Sequence, residues 1–222
     1  DRGPLTFAEV RLSPPGRGIA GRVSSAVAGD WAILGIERET ATDAPRVFSN
    51  AANGRDVLLY VHGYNESFES AVRSAGQLSH SLRFQGRTAL FTWPSGGKLL
   101  DYAYDRESAL WSRDGFVESL RALVANPTIG RIHIVAHSMG TFLTLEGLRE
   151  LRDSPDVYAR IGSVVLASPD VYIDAFERIV LANQDVRQVL DQQAETLRQL
   201  MVTTGAPCWL PDAPSEGPCP VE

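Results

Sequence analysis

No apolar run in this sequence approaches the roughly 20 residues that a helix needs to span a bilayer, and no membrane span is expected. A basic block able to neutralise a run of phosphates is lacking too. Against 27 acidic residues stand 21 Lys and Arg, and the formal charge of -6 is spread along the chain, so nucleic acid is not expected as a partner. No His/Cys cluster has metal-ligand spacing and no cofactor motif occurs, so neither a metal nor a cofactor is expected. The stretch "PSGGK" falls short of a phosphate loop, because Lys98 is followed by Leu99 where GxxxxGK-S/T requires a hydroxyl.

Cysteine is scarce. Cys208 and Cys219 both lie in the Pro/Gly-rich stretch "APCWLPDAPSEGPCP", which favours turns over packed elements. A local disulfide there suits a periplasmic or secreted location, and two free thiols suit a cytoplasmic one. The chain starts at Asp1, and "DRGPLTFAEV" lacks the basic-then-apolar layout of a leader. A processed leader and a trimmed N-terminus both fit that start.

What the sequence does contain is an alternation of β-rich and helical stretches. "DVLLYV" (56–61), "TALFTW" (88–93), "RIHIVA" (131–136) and "GSVVLA" (162–167) read as buried strands. Between them, residues 66–84, 107–126 and 140–151 keep helical spacing of apolar positions. Strands apolar enough to be covered on both faces imply a mostly parallel sheet with right-handed crossovers. This is an α/β fold, with residues 1–55 as N-terminal edge strands ("LTFAEVRLS", "DWAILGIE") and 56–180 as the core. An amphipathic C-terminal helix is expected within 181–204, and a Pro/Gly/Cys tail over 205–222.

One of these β-to-helix junctions carries chemistry. In Ala136-His137-Ser138-Met139-Gly140 a serine stands between a strand and a helix. A serine hydroxyl becomes a nucleophile when a base takes its proton and the oxygen stands clear of the backbone, which a sharp strand-to-helix turn flanked by small residues achieves. The N–H of Met139 would face a developing oxyanion at the helix start. A second donor is expected from the loop His62-Gly63-Tyr64-Asn65, through the Tyr64 N–H.

Together "VLLYVHGYNESF", "LFTWPSGG", "YDRESALWSR", "IHIVAHSMGTFL" and "VVLASPDV" resemble the α/β-hydrolase superfamily. More narrowly they resemble a bacterial family of largely uncharacterised serine hydrolases with HGYN, WPS and AHSMG motifs. The resemblance covers roughly residues 55–176. It implies ester cleavage with Ser138 as nucleophile and a small-molecule ester as substrate; a homo-oligomer stays open. It also places an acid just past "VVLAS", where Asp170 stands, with a turn or N-cap carboxylate as its other reading and Asp174 as a weaker candidate. Arg106 and Arg113, at family positions, are expected to brace the helix above the site by pairing with Asp105 or Asp101.

The superfamily's catalytic histidine follows nucleophile and acid, after the last strands. Here the four histidines are His62, His80, His133 and His137, and none lies beyond Ser138. The last strands are absent as well. His62 is expected to shape its loop, His133 to be a satisfied core residue and His80 to be solvated, while His137 points away from its neighbour. Three readings remain: a divergent hydrolase with lost turnover, a base recruited from another subunit or from a rearranged His62, or a segment missing near residue 180. The alternative function is a catalytically silent binding protein of the same fold.

Overall fold

The computed structural model describes residues 5–15, 31–39, 55–96 and 101–172, together with 174, 176–178 and 188. The expected C-terminal helix, apart from Gln188, and both cysteines lie outside these residues. Four parallel strands form the central sheet: β3 (Arg55–Val61), β4 (Arg87–Phe91), β5 (Ile129–His137) and β6 (Ile161–Ala167), in the order β4-β3-β5-β6. The amino-terminal strands β1 (Phe7–Ser13) and β2 (Ala32–Glu39) pair antiparallel with each other in a separate two-stranded sheet, and are not edge strands of the main one.

Between β3 and β4 runs α1 (Phe68–Ser81), capped by the Ser67 hydroxyl, which accepts the Ser70 N–H at 3.2 Å. The helix expected over 107–126 is two helices, α2 (Tyr102–Trp111) and α3 (Arg113–Ala125). They part at Ser112, whose hydroxyl donates to the Ser108 carbonyl at 2.7 Å while its N–H is shared between Ser108 and Ala109. Side-chain competition of this kind for main-chain acceptors bends helices. Then α4 (Met139–Glu150) follows β5, and a single turn, α5 (Pro155–Tyr158), leads into β6.

Alternation along β3 shows why both faces must be covered. Val57, Leu59 and Val61 join Phe116, Leu120 and Leu143 in the main core, while Leu58 and Tyr60 are buried outside that cluster, as are Ala71, Val72 and Ala75 of α1. Burial pushes the Tyr60 phenol up to about 12. A cleft of about 830 Å³ separates β1 from β4, lined by Phe7, Leu12, Leu90 and Phe91 among others. None of the expected site residues lines it. Among the described residues no helix is long and apolar enough to cross a membrane.

Candidate active site

Ser138 links β5 to α4 with φ 49° and ψ −123°. A non-glycine residue in this conformation stores of order 1–3 kcal/mol of strain and persists only where its surroundings over-determine it. Those surroundings are visible. The Ser138 N–H donates to the Ala167 carbonyl at 2.9 Å, and its own carbonyl accepts from the N–H and the hydroxyl of Thr141 at 2.9 and 2.6 Å. The same hydroxyl oxygen accepts the Asp170 N–H at 3.2 Å, so Thr141 ties the loop after β6 to the corner after β5. Ser138 itself is half-buried, and among the described residues nothing is hydrogen-bonded to its hydroxyl. Asn65 and Ser168 also have positive φ, 55° and 47°, so strained residues follow the carboxyl ends of three neighbouring strands.

The loop after β3 is held against this corner by missing side chains. A Cβ on Gly140 would come within 2.4 Å of the His62 carbonyl oxygen, and one on Gly63 within 3.0 Å of the Ser138 Cβ. Tyr64 lies in this loop with its ring edge-on to Tyr102 at 5.7 Å, and Met139 opens α4, fully buried. Asp170 is half-buried, and its Oδ2 accepts the Tyr102 hydroxyl at 2.9 Å. Desolvation, and then the Asp170 carboxylate, raise the Tyr102 phenol above its ordinary value. Ser138, Tyr64, Met139 and Asp170 are thus brought to one end of the sheet, whereas Asp174 is exposed on the helical segment that follows.

No imidazole is hydrogen-bonded to the Ser138 hydroxyl. His62 is fully buried: its Nε2 accepts the Trp93 N–H at 3.1 Å, so the proton sits on Nδ1, which donates to the Gly63 carbonyl at 2.8 Å. Trp93 stacks on it at 4.9 Å and 6°, and the indole N–H donates to the His62 carbonyl at 3.1 Å. Burial lowers the pKa of His62. With both nitrogens committed to holding the loop, recruitment of His62 as a base would dismantle the corner. His137 is exposed, with Nδ1 beside Gly63, and His80 is exposed with its ring edge-on to Trp31. His133, midway along β5, is half-buried, and its nitrogens have partners on β6 and β3.

Asp105 is the residue whose part in the site the motif did not disclose. Its fully buried carboxylate accepts from the Asn65 N–H at 3.2 Å, the Ser95 hydroxyl at 2.5 Å and the Gly96 N–H at 2.6 Å, joining the loops after β3 and β4. The expected bracing by arginines is corrected accordingly. Arg113 pairs with Asp114, and the Arg106 guanidinium lies over the Phe142 ring at 4.3 Å. Two backbone N–H groups and the Ser95 hydroxyl, from two loops, fill the acceptor sites of Asp105, which leaves the arginines to other partners.

Comparison with known proteins agrees with this architecture. An uncharacterized protein of Nostoc sp., alr1448, is 26% identical over 122 residues, covering 44% of this chain and 32% of that protein. The chain therefore spans about a third of the length of the curated relative it matches. Residues 39–198, more than half of the chain, match the family described as "Alpha/beta hydrolase of unknown function (DUF900)". By its parallel sheet and by this match, the chain belongs to that α/β-hydrolase family.

Proposed function

We propose that the chain carries the nucleophile half of a serine hydrolase acting on carboxylic esters. In this reading Ser138 attacks the ester carbonyl, the main-chain N–H groups of Tyr64 and Met139 receive the oxyanion, and Asp170 orients the proton acceptor. The observation that carries it is the strained φ of Ser138 between a parallel strand and a helix, with a glycine loop packed at van der Waals limits in front of it. A backbone distortion of this kind has a reason when the side chain must stand free.

A second reading, a silent binding protein of the same fold, is favoured by the lack of any imidazole hydrogen-bonded to Ser138. The two are separated by peptide mapping after exposure to a fluorophosphonate, run with and without added imidazole, alongside p-nitrophenyl butyrate turnover. The hydrolase reading expects a Ser138 adduct, an ester rate above that of Ser138→Ala, and a further rise with imidazole in the wild type only. Losing one triad member still leaves about 10³–10⁴-fold over water, so slow turnover is enough to support it. No adduct at residue 138 and no rate above the variant would leave the silent reading.

A further inference from the structure

Three side chains on three neighbouring strands meet at the midpoint of β5, away from the corner at Ser138. The His133 Nδ1 lies 2.7 Å from the Ser163 hydroxyl of β6, and its Nε2 lies 3.3 Å from Oδ2 of Asp56 on β3. The other Asp56 oxygen accepts the Arg131 N–H at 2.7 Å, and chiefly through that bond the carboxyl pKa lies below its ordinary value. An ionised Asp56 can only accept. The Nε2 of His133 therefore carries the ring proton, and Nδ1 is left as the acceptor for the Ser163 hydroxyl. This is the connectivity of a hydroxyl, a base and an orienting acid.

Space for the ring is kept by the sequence. A Cβ on Gly162 would come within 2.5 Å of the His133 Cε1 and 2.9 Å of Nδ1, so the imidazole lies against a strand that is bare at that point. The His133 side chain is 27% exposed, Ser163 is half-buried, and β6 is an edge of the described sheet. Alternate main-chain N–H groups on such an edge point away from the neighbouring strand. His133 pairs with Ser163, and five residue steps along the strand, roughly 17 Å, separate it from Ser138.

We propose that Ser163 is a second reactive hydroxyl, an acceptor of acyl and phosphonyl groups from activated esters and fluorophosphonates, with His133 as its base and Asp56 as the orienting acid. As Oγ attacks an aryl ester, its proton passes to the His133 Nδ1, the C–O bond to Ser163 forms, and the aryl oxide leaves with that proton. With a fluorophosphonate the P–O bond forms, fluoride departs, and the proton passes from Nδ1 to water. The reaction uses neither Ser138 nor its loops.

The test is made in a Ser138→Ala background, with the fluorophosphonate adduct mapped by peptide mass and folding checked by circular dichroism. Ser138→Ala protein is expected to carry an adduct at residue 163, removed by Ser163→Ala and slowed at least about tenfold by His133→Gln or Asp56→Asn. Should His133→Gln fail to fold, Asp56→Asn alone decides, since Asp56 is 45% exposed. An unlabelled Ser163 in folded Ser138→Ala protein, or labelling that Asp56→Asn leaves unchanged, overturns the proposal.

Discussion

Ser138, at the corner after β5, and Ser163, inside the neighbouring β6, divide between them what a serine hydrolase combines. At Ser138 the backbone is strained and two loops are clamped around it, but no imidazole reaches its hydroxyl. Ser163 lies within a strand, just past the register shift at Gly162, and a histidine held by a carboxylate is within hydrogen-bond distance. The contrast separates two contributions. Strain and oriented amides depend on the corner where strands end, whereas a hydrogen-bonded hydroxyl, base and acid can form wherever three strands place them in register.

The largest expected effect comes from breaking the corner. Gly140→Ala forces a methyl against the His62 and Val61 carbonyl oxygens, which are main-chain atoms that cannot swing aside. A loss of about 4 kcal/mol is expected in urea unfolding, and a loss below about 1 kcal/mol would show that the loop is not held there. Asp105→Ala follows, leaving three donors without their acceptor, for about 3 kcal/mol in the same assay. It should slow fluorophosphonate labelling at Ser138 and leave Ser163 unaffected, and equal slowing at both would break the comparison.

The pH dependence of stability gives a smaller effect. Burial lowers the folded pKa of His62 below its ordinary 6.5. The unfolded chain therefore binds the proton more readily, and stability falls as pH drops from about 6.5 towards the folded value. Unfolding midpoints at pH 7.5 and 5.5 should show this loss, and it should shrink in a folded His62→Asn variant. Smallest is Tyr102→Phe, which frees the exposed side of Asp170 from one hydrogen bond, for about 0.5 kcal/mol by thermal unfolding. A drop several times larger would mean that Tyr102 anchors the loop after β6.

Much of this architecture could be read directly from the residues. The apolar runs at 56–61 and 131–136 became β3 and β5 because strands covered on both faces are apolar along most of their length, and the alanine, serine and glycine around residue 138 marked the corner. The break at Ser112 was hidden because helical spacing of apolar residues records burial and not competition for a carbonyl. Asp105 could not be assigned, since its three donors come from two loops that meet only after the sheet forms. His133 was expected to be satisfied and is, but its half-exposure and its partners on β3 and β6 depend on register between strands distant in sequence. The separate pairing of β1 with β2 was equally out of reach, because short apolar runs do not say which sheet they join.

The flat stack of the Trp93 indole on the His62 imidazole gives the molecule an optical gauge. Charged imidazole is a stronger quencher of indole emission than neutral imidazole, so the light from residue 93 dims whenever that ring takes a proton. Fluorescence of a variant in which the other three tryptophans are replaced would follow the state of the loop beside Ser138 in real time, with no substrate needed.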